Sequence, residues 1–401
     1  MEISLSRRLS KIAPSPTLAL TAKVKALKAK GEDIVGFAAG EPDFDTPEPI
    51  KEACIQALRE GFTKYTPTGG IPELKEAVCN WIMEKRGLKY SPGQALVCCG
   101  AKHALYNLFQ ALLEEGDEVL IPAPYWVTYK DQVAIAGGVP VIVPTDIASG
   151  FVPDPEALKE ACGRKTRAIV LNSPSNPSGA ALSKRQLEAI AGVVVEKNLL
   201  VVSDEIYAEI VYDGFRQESI ASLGQELYER TFVVDGVSKT FAMTGFRIGY
   251  IMGDPKVIKA MNMIQDQSTS NPTSIAQKAA LKALTLKEDV VSPMVRKFHD
   301  RRDLMLAGMK RIEGVRCFKP AGAFYLFPDM RVLLGRRTPK GLSLETSAVL
   351  AEALLEEAKL AAVPGEAFGM PGFLRFSYAT GEKEIQKGMD RLYEFCSSLR
   401  M

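Results

Sequence analysis

The chain has 401 residues, 46% hydrophobic and 24% charged, the composition of a globular protein with room for more than one domain. A formal net charge of +2 gives no electrostatic reason to expect nucleic acid or an anionic membrane as partner. No apolar run reaches the length of a membrane span and residues 1–8 lack the apolar core of a signal peptide, so a cytoplasmic protein is expected.

The seven cysteines (Cys54, Cys79, Cys98, Cys99, Cys162, Cys317 and Cys396) are scattered and contain no C-x-x-C, which argues for free thiols and against a disulfide framework or a zinc site. The only histidines are His103 and His299, too few for most His-based metal sites or nucleophile systems. No metal is expected, and an enzyme built on this chain needs a proton carrier other than histidine.

In chain order, Leu20, Val24 and Leu27 recur at helical spacing before Gly31, a helix stop. A short strand at Val35-Gly36-Phe37 runs into the loop Ala38-Ala39-Gly40-Glu41-Pro42-Asp43-Phe44. Thr46-Pro47-Glu48 has the form of a helix start, with Thr46 as N-cap and Pro47 in the first turn. From about residue 50 helices and strands alternate. Apolar strands are predicted at 95–99, 118–121, 139–143, 168–171, 199–202, 231–234 and 248–252, with helices such as 183–197 between them. Most of these strands are too apolar to have a wet face, so the pattern is α/β, with a mainly parallel sheet covered by helices on both sides. Beyond residue 290 the texture becomes α+β: helices near 292–313, 343–358 and 382–399, and short strands at 315–319, 323–328, 361–363 and 374–377. The expected division is a large domain over 50–292 and a small one made of 1–49 with 293–401.

Ligands in such a sheet sit beyond the carboxyl ends of the strands. Strand 95–99 is followed by Gly100-Ala101-Lys102 opening a helix, where backbone N–H groups and the helix dipole suit a phosphate. Strand 168–171 is followed by Asn172-Ser173-Pro174-Ser175-Asn176-Pro177, and strand 199–202 by Ser203-Asp204-Glu205-Ile206-Tyr207. Strand 231–234 is followed by Ser238-Lys239-Thr240 and then Arg247. Singly, each group reads as a turn, a cap or a solvated charge; together they converge on one sheet edge. A desolvated Lys239 would have a depressed pKa and a nucleophilic amine able to form a Schiff base. Arg247 can clamp an anion. A buried Asp204 needs a positive partner, which a protonated ring nitrogen would supply. Asn176 and Tyr207 can hydrogen-bond a ring oxygen, and Trp126 can stack on a flat ring.

These motifs, with Tyr65-Thr66-Pro67-Thr68-Gly69-Gly70 and Arg375-Phe376-Ser377-Tyr378, resemble those of fold-type I pyridoxal 5'-phosphate (PLP) enzymes of the class I aminotransferase family. The similarity is to the bacterial aspartate, aromatic and prephenate aminotransferase subgroup, and it runs from about residue 5 to 399. The resemblance implies that Lys239 carries PLP covalently and acts as the catalytic base. It implies Asp204 on the ring nitrogen, Asn176 and Tyr207 on the ring oxygen, Trp126 against the ring, and Gly100, Ala101, Lys102 and Arg247 around the phosphate. Arg375 would hold the substrate α-carboxylate, with the Gly40 backbone and Asn176 beside it. Tyr65 would reach the other subunit's cofactor, implying a homodimer.

Ping-pong transfer between L-aspartate and 2-oxoglutarate is the leading expectation, with an aromatic or prephenate aminotransferase as the alternative and a PLP lyase of the same fold as a third. A PLP-sensing transcription regulator would carry a helix-turn-helix ahead of residue 1, and none is expected. An acidic substrate needs a second cation. The stretch Ser270-Asn271-Pro272 lacks the arginine one branch places there; the bacterial branch that this chain resembles uses a lysine in the phosphate loop, and the resemblance implies that role for Lys102, with Ser15 and Thr17 adding hydroxyls. Ala13 stands where relatives that handle prephenate carry a lysine, which counts against that substrate.

Overall fold

The computed structural model describes residues 3–14 and 16–400. The strands are β1 (Val35–Gly36), β2 (Ala95–Cys98), β3 (Glu118–Pro122), β4 (Val139–Val143), β5 (Thr166–Asn172), β6 (Leu200–Asp204), β7 (Thr231–Gly236), β8 (Gly249–Met252), β9 (Tyr325–Leu326), β10 (Leu360–Ala361), β11 (Val363–Pro364) and β12 (Leu374–Ser377).

Seven of them form one sheet in the order β2-β8-β7-β6-β5-β3-β4. All run parallel except β8, which is antiparallel to both neighbours. The apolar runs are two-faced because side chains alternate across a strand. Leu96, Cys98, Phe232, Val234 and Ile251 meet the helices Ala101–Leu112 and Pro255–Asp266 in one core. Ala95, Val97, Val233, Tyr250 and Met252 meet the helices Pro72–Arg86 and Ser274–Thr285 in another. Burying each such side chain is worth about 2 kcal/mol, which explains why the strands carry no polar face.

Gly249 marks the tightest point of the sheet. A Cβ there would overlap the backbone of Gly100 and Ala101, so β8 can pass beneath the start of the helix Ala101–Leu112 only with glycine.

The C-terminal region builds two small sheets, β11-β12-β9 and the parallel pair β1-β10. They pack with the helices Val291–Met309, Ser347–Glu357 and Glu382–Ser398 around Phe298, Phe324, Tyr325, Phe376 and Leu392. Ile206, Tyr207 and Tyr212, from the segment after β6, are seated in the same core. The large sheet thereby sends its ligand-facing loop against the C-terminal elements.

Two local expectations are corrected. No strand forms over 315–319; Arg316 makes only an isolated bridge to Asp329, since no neighbouring strand runs alongside to extend the pairing. Thr46 does not cap the following helix. Its hydroxyl donates instead to the Ala242 carbonyl at 2.6 Å, and Pro47 is the N-cap of Glu48–Arg59. All seven cysteines are free. Among the described residues no group of His, Cys, Asp and Glu could hold a metal, and no helix is long and apolar enough to cross a membrane.

Candidate active site

The carboxyl ends of β2, β5, β6 and β7 open on a cavity of about 350 Å³. Its lining includes Gly40, Ala101, Lys102, Trp126, Asn176, Asp204, Tyr207, Lys239, Arg247 and Arg375, together with Thr17 from the N-terminal helix. Parallel strands followed by polar loops bring these groups to one place across more than 350 positions of sequence.

Lys239 lies on a single helical turn, Val237–Thr240, directly after β7. Its Nζ donates to the Gly40 carbonyl at 2.7 Å. Desolvation lowers its pKa to about 8, with Arg247 and Arg375 adding to the shift and Glu41 and Asp204 opposing it. About a tenth of the amine is therefore unprotonated at pH 7, far more than for a free lysine.

Asp204 ends β6 and is buried. Burial pushes its pKa up to about 6, against hydrogen bonds from the Tyr129 hydroxyl at 2.6 Å and the Ile206 N–H at 3.3 Å. Among the described residues it makes no ion pair.

Arg375, on β12, is buried as well. It donates to Asn176 Oδ1 at 2.9 Å and to the Ala38 carbonyl at 2.8 Å, while its Nε has no partner. No carboxylate pairs with it among the described residues, and desolvation pulls its pKa down. A buried guanidinium of this kind is a receptor for an anion.

At the other end of the cavity, Gly100 (φ 90°) precedes the helix Ala101–Leu112, whose first turn has no side-chain cap. Its first N–H groups and the helix dipole are available to a phosphate. Arg247 leans over this turn: an ideal Cβ on Gly100 would come within 2.5 Å of Arg247 Nη2. Arg247 itself holds φ 55°, a left-handed conformation that costs a non-glycine residue about 1 kcal/mol. Its Nη1 is steadied by the Thr244 carbonyl at 2.8 Å.

Lys102 Nζ sits 4.9 Å from the centre of the Trp126 ring, a cation–π contact in the cavity lining. Tyr65 is not brought to this cavity; it stands 92% exposed on the surface. Ser15 lies outside the described residues.

Three neighbours of the site escape a sequence reading. Tyr129 supports Asp204, Tyr325 pairs with Tyr207 at 2.8 Å, and Glu41 accepts from Thr244 at 2.8 Å. Tyr129 and Tyr325 carry no local signal. Glu41 lay inside a recognisable motif, where a carboxylate among Gly and Pro was the one available hint.

The donor set fits a flat, phosphorylated, aldehyde-bearing nitrogen heterocycle. A buried carboxylate without a cation suits a protonated ring nitrogen, a low-pKa amine suits an aldehyde, and the glycine-started helix with Arg247 suits a phosphate.

Known proteins with the same architecture are easily found. A model of the aminotransferase class I and II family matches residues 32–392. The aspartate aminotransferase of Geobacillus stearothermophilus is 46% identical over 396 residues, 98% of this chain and 99% of the relative. A probable aspartate/prephenate aminotransferase of Aquifex aeolicus is 46% identical over 394 residues, 98% of each chain. Among solved structures, the aspartate aminotransferase from Rhizobium meliloti superposes with a TM-score of 0.96 at 42% identity, covering 100% of both chains. The aspartate aminotransferase from Thermus thermophilus, solved with maleate, gives 0.92 at 44% identity, covering 98% of this chain and 100% of its own.

Proposed function

The chain belongs to the class I and II aminotransferase family, and from that premise we propose that it is a PLP-dependent enzyme moving the amino group of L-aspartate to 2-oxoglutarate. The observation that carries this reading is the pairing, in one cavity, of a buried lysine amine lowered to about 8 with a buried carboxylate that has no cation of its own.

When bound, PLP supplies an aldehyde that condenses with amines and a ring that takes up an electron pair. Lys239 Nζ would hold the cofactor and, as a free amine, would take the proton from the substrate Cα. Its depressed pKa makes it a competent base near neutrality without any histidine. Asp204, its orientation fixed by Tyr129, would keep the ring nitrogen protonated. Asn176 and Tyr207 would hydrogen-bond the ring oxygen and Trp126 would pack against the ring. Gly100, Ala101, Lys102 and Arg247 would hold the phosphate.

Arg375 binds the substrate α-carboxylate, using its two-pronged geometry, beside Asn176 and the Gly40 backbone. Lys102 and Thr17 border the same cavity and suit a second carboxylate, with Ser15 next in sequence to that helix. The Thermus thermophilus neighbour was solved with maleate, a dicarboxylate, which is in keeping with two anion sites.

The reading extends to a homodimer in which the exposed Tyr65 serves the partner's cofactor site. It also divides the chain into a large body over 50–292 and a small one made of 1–49 with 293–401. The two cores on the faces of the large sheet support the division, while Ile206, Tyr207 and Tyr212 cross it to join the C-terminal core. A second substrate reading, an aromatic or prephenate aminotransferase, is supported by relatives named aspartate/prephenate aminotransferase. Ala13 counts against prephenate itself.

The test is a half-reaction panel with aspartate, glutamate, tyrosine and the amino product of prephenate, each followed through the cofactor's visible absorbance. Aspartate and glutamate should saturate. Saturation by tyrosine with no response to aspartate would overturn the substrate assignment.

A further inference from the structure

Tyr325 lies behind the cavity wall, outside its lining, yet it touches three groups of the site. It is fully buried on β9, and its backbone pairs with Ser377, two residues beyond Arg375 on β12. Its hydroxyl is 2.8 Å from the Tyr207 hydroxyl. The Arg375 guanidinium lies over its ring, 4.6 Å from the centroid. A Cβ on Gly40, whose carbonyl receives Lys239 Nζ, would stand 3.4 Å from the same hydroxyl.

We propose that Tyr325 is a positioning residue that couples the ring-oxygen donor of the cofactor site to the carboxylate receptor of the substrate site. Its hydroxyl aims the Tyr207 phenol at the cofactor, and its ring face seats the Arg375 guanidinium for the substrate carboxylate. The inference rests on the PLP reading above.

The physical case has two parts. A hydroxyl pair shares one hydrogen bond, and either oxygen can be the donor. With Tyr325 donating, the Tyr207 proton is turned outward and available to an acceptor in the cavity. Burial holds the Tyr325 phenol above its ordinary pKa, so it stays a neutral donor through the working pH range. The second part concerns Arg375, which has two neutral hydrogen-bond acceptors and no carboxylate. The faces of Tyr325 and Phe368, 4.6 and 5.1 Å away, supply the remaining stabilisation of its charge and fix the plane of the fork. One residue of the C-terminal elements thus sets both the proton donor after β6 and the anion receptor on β12.

The two parts separate by mutation of the holoenzyme. Tyr325→Phe keeps the ring and loses the hydroxyl; Tyr325→Leu loses both. The first readout is the pH midpoint of the bound cofactor's absorbance in the resting enzyme, measured without substrate. A donor to the ring oxygen favours the deprotonated chromophore, so loosening Tyr207 should raise the midpoint by about half a pH unit or more in Tyr325→Phe.

The double variant Tyr207→Phe/Tyr325→Phe should shift no further than Tyr207→Phe alone, because the second hydroxyl acts only through the first. The other readout is the dissociation constant of maleate. It should stay within about twofold in Tyr325→Phe and rise roughly tenfold in Tyr325→Leu.

A midpoint in Tyr325→Phe that is unmoved or lowered, or additive shifts in the double variant, would overturn the orienting role. Equal maleate affinity in Tyr325→Leu and the parent would overturn the seating role. A parent protein with no visible chromophore would overturn the cofactor reading, and this inference with it.

Discussion

The Tyr129 hydroxyl donates a 2.6 Å hydrogen bond to Oδ2 of Asp204, and both side chains are buried. The contact orients the carboxylate but brings no positive charge. Burial holds Asp204 at about 6, above the 3.8 of a free aspartate, and the hydrogen bond offsets only part of that shift.

A stability consequence follows from that shift. Between pH 4 and 6 the unfolded chain gives up the Asp204 proton before the folded chain does, so this group costs stability as pH rises. Over two pH units the loss is about 3 kcal/mol, complete by pH 7. In protein stripped of cofactor, Asp204→Asn should therefore be about 2–3 kcal/mol more stable than the parent at pH 7 and no more stable near pH 4. Urea midpoints at the two pH values check this. The same variant should lose activity, because a neutral amide cannot hold a proton on the ring nitrogen.

Arg375→Lys keeps the charge and removes the fork. The planar guanidinium can span both carboxylate oxygens, whereas an ammonium meets them as a point charge. We expect kcat/KM for aspartate to fall about a hundredfold, corresponding to roughly 3 kcal/mol of lost transition-state binding. A decrease of less than threefold would show that the α-carboxylate sits elsewhere.

Lys102→Ala tests the second cation. It should raise the KM for aspartate about tenfold, the value of one charge-assisted hydrogen bond of about 1.4 kcal/mol. The KM for tyrosine should change far less. Equal changes for both substrates would leave Lys102 serving only the phosphate end.

Behind the site, Arg86 is, among the described residues, the one cation paired with three acidic groups. It reaches Glu205 at 3.2 Å, Glu209 at 2.7 Å and Asp235 at 4.0 Å, with its own side chain 3% exposed. Burial holds Asp235 well above the usual carboxylate range. Arg86→Met would strand Glu205, the residue after Asp204, without its counter-charge. The expected cost is about 3–5 kcal/mol in chemical denaturation, the penalty for leaving a buried charge unpaired. A cost below about 1 kcal/mol would mean that water reaches these carboxylates.

Much of the scaffold was legible because buried parallel strands need unbroken apolar runs. The strands predicted at 118–121 and 199–202 read clearly for that reason; they are β3 and β6, each paired with a parallel strand on both sides. Strand ends were less clear: β5 extends to Thr166 and Asn172, since pairing with β3 and β6 sets its limits and hydropathy does not. The stretch 315–319 shows the converse, a strand-like pattern with no partner strand beside it. Lys239, Asp204, Asn176 and Arg247 were legible as polar groups placed just after apolar strands. Tyr129 and Tyr325 were not, because their roles arise from contacts with residues 75 and 118 positions away. Tyr65 illustrates a different limit: nothing in one chain brings it to a site.

Every role proposed for the site depends on PLP being anchored at Lys239. The purified enzyme, reduced with borohydride, digested and mapped by mass spectrometry, should carry a phosphopyridoxyl group on the peptide containing Ser238-Lys239-Thr240. The label on a different lysine, or no label on an enzyme that retains activity, would contradict it.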